Sequence, residues 1–112
     1  SHWGQQATAT IEVEFDGEGH SARGEGNGGY DAFTAAIRPI VEKLGVEFPQ
    51  LSDYKVHIPR GGKSNALTEA SITWEMASGK KITTRSTNAN QVYAAIEATM
   101  RLVNILVHQA RS

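Results

Sequence analysis

Two stretches of the chain share one layout, and that repetition constrains the fold more than any other feature. Residues 24–37, Gly24-Glu25-Gly26-Asn27-Gly28-Gly29-Tyr30-Asp31-Ala32-Phe33-Thr34-Ala35-Ala36-Ile37, run from a glycine-rich loop into an apolar helical pattern. Residues 85–96, Arg85-Ser86-Thr87-Asn88-Ala89-Asn90-Gln91-Val92-Tyr93-Ala94-Ala95-Ile96, repeat that layout and also close on Ala-Ala-Ile. Upstream, Val13-Glu14-Phe15 corresponds to Trp74-Glu75-Met76, each followed shortly by a glycine, Gly17 or Gly79. The offset is 61 at Val13 and 59 at Ala35, which predicts a two-residue difference in the loop between. A duplicated strand–strand–loop–helix unit implies two half-domains about a pseudo-twofold axis, with a cleft where they meet.

A chain of 112 residues with 39% hydrophobic and 21% charged content is sized for one globular domain with a real core. Its net charge of -1 offers no bulk attraction to nucleic acid or to an acidic membrane. The absence of cysteine excludes disulfides and thiolate metal sites. No apolar run reaches the roughly 20 residues of a membrane span, and no signal-peptide pattern is present. Ser1-His2 reads as a tag scar, and the strand pattern starts almost at once, so a piece of a longer protein is expected.

Ala9, Ile11, Val13 and Phe15 alternate with polar residues, as in a half-buried strand, and Asp16-Gly17-Glu18-Gly19 supplies a hairpin turn into a return strand over residues 20–25. Tyr30, Phe33, Ile37, Ile40, Val41 and Leu44 mark one face of a helix that Gly45 caps, with Pro39 expected to kink it. In the second half Tyr54, Val56 and Ile58 alternate up to Pro59, and Gly61-Gly62-Lys63-Ser64-Asn65 reads as a loop. Ala70, Ile72, Trp74 and Met76 alternate again, Ser78-Gly79 turns the chain, and residues 80–87 return. From Asn90, the residues Val92, Ile96, Met100, Val103 and Val107 line one face of a long helix. The order is β-β-α-β-β-β-α: an α+β fold of two βββα units, the first lacking a strand, with helices on one face of antiparallel sheets. Residues 1–6 are assigned to a tag scar or the remnant of that strand, 7–50 to the first unit and 51–112 to the second.

Chemistry is sparse. His2, His20, His57 and His108 have no shared spacing on a helix or strand face, so the reading is solvated histidines and no metal site. Ser64, Ser71 and Ser86 lack a nucleophile-elbow context. Glu12, Glu14, Glu75 and Asp16 fall on polar sides of strands and turns, so this chain by itself is read as non-catalytic. The Gly26-Asn27-Gly28-Gly29 loop has two readings: a sharp strand-to-helix turn, or backbone N–H groups presented to a carboxylate or phosphate at a helix N-terminus. Residues 30–107 also follow the α-β-β-β-α order of a double-stranded-RNA-binding domain, but Asn88-Ala89-Asn90-Gln91 carries no positive charge where such domains hold phosphates.

Beyond these single features stand long ordered blocks: residues 26–33, Leu51-Ser52-Asp53-Tyr54-Lys55-Val56, the run from Ile58 to Glu69, Ile72-Thr73-Trp74, and residues 90–99. Together they resemble the C-terminal regulatory domain of the 2-isopropylmalate synthase and citramalate synthase family. The resemblance implies two pseudo-symmetric βββα units that dimerise and bind the end-product amino acid, leucine, or isoleucine in a citramalate synthase. It further implies a cytoplasmic parent, an acyltransferase whose separate TIM barrel holds acetyl-CoA, the 2-oxo acid and a divalent metal. No cofactor, nucleic acid or membrane partner is then expected for this chain. Carried over position by position, the effector contacts are Asn27, Gly28, Gly29 and Ala32, then Tyr54 and Ile58, then Asn65 and Ala66, then Thr87 and Asn88. Backbone N–H groups would take the α-carboxylate, amide and carbonyl oxygens the ammonium, and small residues would leave room for a branched side chain.

Overall fold

The computed structural model describes residues 6–58 and 67–112. Strands β1 (Ala7–Phe15) and β2 (Glu18–Gly26) form an antiparallel pair, followed by helix α1 (Gly29–Lys43). Strands β3 (Gln50–His57), β4 (Thr68–Glu75) and β5 (Lys81–Asn88) form a second antiparallel sheet in that order, followed by helix α2 (Gln91–Arg111). The predicted element order and the α+β class are both present. The Gly61–Asn65 loop and Pro59 lie outside the described residues.

Local chemistry explains the boundaries. Phe15 pairs with Glu18 across the two-residue turn Asp16-Gly17, whose φ values of 52° and 81° belong to the primed turn that suits strand twist. Helix α1 runs unbroken through Pro39 and ends in a Schellman motif. There the Gly45 N–H donates to the Glu42 carbonyl (2.9 Å) and the Val46 N–H to the Val41 carbonyl (3.2 Å), with Gly45 at φ +79°.

Each helix covers two strands: α1 packs on β2 and β1, and α2 on β5 and β4. The core is one continuous cluster drawn from both units, with Ile37, Val41, Ile72, Trp74, Leu102 and Val103 essentially inaccessible. Phe48 meets Trp74 edge-on at 6.0 Å, and the Arg38 guanidinium lies 4.7 Å from the Phe48 ring centroid. Among the described residues three polar ties cross between the units: Tyr30 Oη and Thr99 Oγ1 share a 2.7 Å hydrogen bond, Arg111 donates to Asp16 at 2.7 Å, and the Ala77 N–H donates to Glu47 Oε2 at 2.6 Å.

The repeat is real, but its register differs from the textual match. Inward residues Ala9, Ile11, Val13 and Phe15 of β1 correspond to Ala70, Ile72, Trp74 and Met76, an offset of 61. The second hairpin closes through Ala77-Ser78-Gly79, one residue longer than Asp16-Gly17, because Glu75 pairs with Lys81 and the Met76 N–H donates to the Lys80 carbonyl. From β2 and β5 onward the offset is therefore 62. At 62 the buried residues of α1, namely 32, 33, 36, 37, 40 and 41, fall on 94, 95, 98, 99, 102 and 103, all buried in α2. The Ala-Ala-Ile coincidence at 59 pairs exposed Ala35 with buried Ala94, almost a full helical turn out of phase.

One histidine assignment is also corrected. His57 and His108 are exposed, but the His20 side chain is only 13% exposed. It sits on the inward side of β2 with its ring 6.0 Å from that of Phe15. An inward position on a strand places it there, and a histidine among polar neighbours gave no periodic signal of it.

Candidate functional site

The glycine loop and its counterpart become the N-termini of two helices that converge. A β-carbon placed on Gly29 would lie 3.3 Å from Val92 Cγ1, so the first turns of α1 and α2 are in near contact. Their capping differs. Gly28 is the N-cap of α1 in extended geometry (φ −146°), with no side-chain hydrogen bond to the first turn. Its carbonyl accepts from the Ala32 N–H at 3.0 Å, which leaves the N–H groups of residues 29–31 without a partner inside the helix. At α2 the Asn90 side chain accepts from the Tyr93 N–H (3.1 Å), and the Asn90 N–H donates to Asn88 Oδ1 (2.8 Å). The end of α1 thus keeps backbone donors free of any side-chain cap, with the Asp31 carboxylate in its first turn, whereas the first turn of α2 is capped by Asn90 and holds no acid.

Tyr30 connects this end to the second unit. Its ring lies edge-on to Tyr54 at 6.1 Å while its hydroxyl bonds Thr99, which donates back to the Ala95 carbonyl at 2.8 Å. Burial raises the Tyr30 phenol above its ordinary pKa, against the lowering effect of its hydrogen bond to Thr99.

The sequence-derived contacts separate into groups. Gly28, Gly29 and exposed Asn27 stand at the start of α1, and Tyr54 reaches the same corner through Tyr30. Asn88 lies at the start of α2, held by its own bond to Glu97 Oε1 (3.4 Å). Thr87 is exposed, on the opposite side of β5 from Asn88, and Ile58 is 66% exposed just past the end of β3. Ala32 is wholly buried, its backbone pressed against Gly24 and Gly26 of β2. Asn65 and Ala66 lie outside the described residues.

A cleft of about 700 Å³ runs along β1 from Thr8 to Val13 and is walled by Phe33, Val92, Ile96 and Met100, with Gly29, Asn90 and Tyr93 at one end. A second cleft of about 340 Å³ lies between α1 residues Tyr30, Thr34 and Arg38 and the Phe48-Pro49, Leu51 and Trp74 surface. At an offset of 62, Tyr30, Thr34 and Arg38 are the counterparts of Val92, Ile96 and Met100, so the clefts are pseudo-symmetric mates. They differ because β3 stands beside β4 in the second unit, whereas among the described residues no strand stands beside β1 on that flank. Of the sequence-derived contacts among the described residues, only Gly29 lines the larger cleft. The wall of α2 had a signal: Val92, Ile96 and Met100 form an apolar stripe beside the buried Ala95, Ala98 and Leu102 face, wider than one helix–sheet contact needs.

Among the described residues no group of three His, Asp or Glu gathers as a metal site, and no helix is long and apolar enough to cross a membrane. A relative from Methanopyrus kandleri, described as a probable 2-isopropylmalate synthase, is 35% identical over 104 residues, covering 93% of this chain and 20% of its own length. Another probable 2-isopropylmalate synthase, from Methanosarcina acetivorans, is 30% identical over 105 residues, covering 94% of the chain and 20% of its own length. The 2-isopropylmalate synthase of Aquifex aeolicus is 33% identical over 97 residues, covering 87% of the chain and 18% of its own length. The chain therefore spans about a fifth of the relatives it matches. The model of the LeuA allosteric (dimerisation) domain matches residues 1–107, and the chain belongs to that family.

Proposed function

We propose that this chain is the leucine-binding, feedback-regulatory and dimerising part of a 2-isopropylmalate synthase. On this reading the remainder of the parent, a TIM barrel with a divalent metal, condenses acetyl-CoA with 2-oxoisovalerate. The observation that carries it is the α1 N-terminus, uncapped by any side chain, in a domain whose relatives bear the name of a leucine-pathway enzyme. The α-carboxylate of leucine is received by the N–H groups that follow Gly28, and the isobutyl group lies toward the apolar surface where the two helices meet. Feedback is then a coupling free energy between this domain and the distant barrel, typically ~1–3 kcal/mol.

Calorimetric titration with leucine and then isoleucine tests the reading. Saturable leucine binding with weaker isoleucine binding supports it. The reverse order assigns the chain to a citramalate synthase, and binding of neither leaves a purely structural dimerisation module. Gly28→Asp sharpens the test: φ is extended there and an added β-carbon meets nothing within 4 Å, so the variant folds. Its carboxylate caps α1 and repels the ligand's own, so leucine binding is lost while the oligomeric state stays that of the parent chain. Retained leucine affinity would remove the α1 N-terminus from the site.

A further inference from the structure

Strand β3 differs from every other strand among the described residues. All its residues except Tyr54 are exposed, because α2 seats on β4 and β5 and leaves the third strand bare. On its inner side, in register with buried Ile72 and Ala70, stand Tyr54 and Val56, the latter 39% exposed; Leu51, opposite Trp74, is 43% exposed. On its outer side stand Asp53 and Lys55, with Lys55 Nζ 3.7 Å from Asp53 Oδ2 and both side chains in solvent. Among the described residues no strand pairs with the outer edge of β3. An edge of eight residues, apolar on its sheltered side and irregular only between Leu51 and Asp53, where the pairing with β4 shifts register, is the kind of template that proteins otherwise cover or blunt.

We infer that this edge is covered by the same edge of a second copy, β3 pairing antiparallel with β3 across a twofold axis to make one six-stranded sheet. The inference rests on the reading that the domain pairs with itself. A twofold operation sets each residue opposite its own symmetry mate, so only a few registers are available. Centred on Tyr54, the two tyrosines face each other, Asp53 lies opposite Lys55 of the partner subunit, and Lys55 lies opposite Asp53 of the partner subunit. Centred on Lys55 or on Asp53, a like pair meets head-on, which is destabilising. A one-residue slip would set inner side chains against outer ones. Centred on Val56, inner side chains also meet, but Lys55 falls opposite His57 of the partner subunit and Asp53 gains no basic mate. Only the Tyr54 register alternates the four charges, with Val56 falling near the irregularity at Ser52 of the partner subunit.

The remaining edges fit this pairing less well. Strand β5 carries Lys81 and Arg85 on its outer side, two positive charges about Thr83 that would repel their mates. Strand β1 carries Glu12 and Glu14 with no basic residue. Strand β2 has three glycines in nine residues and lies under α1, with no bare apolar side to bury.

Sedimentation velocity on the chain, over a concentration series, tests the pairing. The unaltered chain is expected to be a dimer. Asp53→Lys, which sets lysine against lysine twice, weakens the dimer at least roughly tenfold, and Lys55→Asp alone does likewise. The swap Asp53→Lys/Lys55→Asp restores the alternation and returns dimer affinity to near the starting value. Lys81→Glu, on the β5 edge, leaves it unchanged. A dimer that ignores Asp53→Lys, or that the double swap fails to rescue, overturns the β3 interface while self-pairing stands. An unaltered chain that stays monomeric overturns self-pairing itself, whatever leucine does in the calorimeter.

Discussion

The two units fasten the same helix to the same pair of strands by different means. In the first, glycines bring backbone against backbone: a β-carbon on Gly24 would lie 2.5 Å from the Ala36 nitrogen, and one on Gly26 2.7 Å from the Ala32 nitrogen. In the second, the counterparts of Gly24 and Gly26 are Ser86 and Asn88, which donate to Glu97 Oε1 at 3.2 and 3.4 Å, so side chains fill the gap. Trp74, the counterpart of Val13, donates through Nε1 to Thr84 (3.3 Å), which donates to the Ala98 carbonyl (2.8 Å) beneath α2. One topology thus tolerates a tight, featureless joint and a wider, hydrogen-bonded one. The tight joint goes with the helix whose N-terminus carries no side-chain cap, the wide one with the helix capped by Asn90.

The contrast can be broken at its strongest point first. Trp74→Ala removes the largest fully buried side chain and the donor to Thr84, and should cost about 4 kcal/mol in urea denaturation. Val13→Ala, at the half-buried mate, should cost about 1 kcal/mol. Gly24→Val forces α1 off β2 and should cost about 3 kcal/mol, whereas Ser86→Ala gives up one exposed hydrogen bond for about 0.5 kcal/mol. A Gly24 variant as mild as the Ser86 variant would mean that the tight joint relaxes freely. Asn90→Ala should cost about 1 kcal/mol by uncapping α2, with Gly28→Ala nearly neutral because no side-chain cap exists to lose.

The smallest effect concerns the tie between units. Tyr30 has a raised pKa in the folded chain, chiefly through burial, so the unfolded state releases that proton first. Its contribution is complete below the ordinary tyrosine pKa of about 10 and is lost as pH rises through the folded value. Tyr30→Phe should flatten that alkaline loss in melts between roughly pH 9 and 11. An unchanged alkaline slope would assign the loss to other groups.

The element order was legible because alternation in β1 and β4 and the 3.6-residue periodicity of both helices are local consequences of burying one side. The register of the repeat was not. Ala35-Ala36-Ile37 and Ala94-Ala95-Ile96 match as letters, but burial follows distance from the cap, and Gly28 and Asn90 set that distance. The site was partly legible. Asn27, Gly28 and Gly29 stand at a helix start as their chemistry requires, whereas Ala32 turned inward because the glycines of β2 draw α1 down onto it. The cleft walls of Phe33, Val92, Ile96 and Met100 come from elements far apart in the chain, and no local pattern announces such a meeting.

By itself the sequence determined two units, their strands and helices, their turns, and the likeness to a regulatory domain, since each is written in short-range periodicity and in ordered residue identities. Tertiary structure alone decided which helix end stays uncapped, which strand is left bare and which cleft is the wider. Those outcomes depend on how far each helix can approach its sheet, a distance fixed by the residues on both surfaces at once.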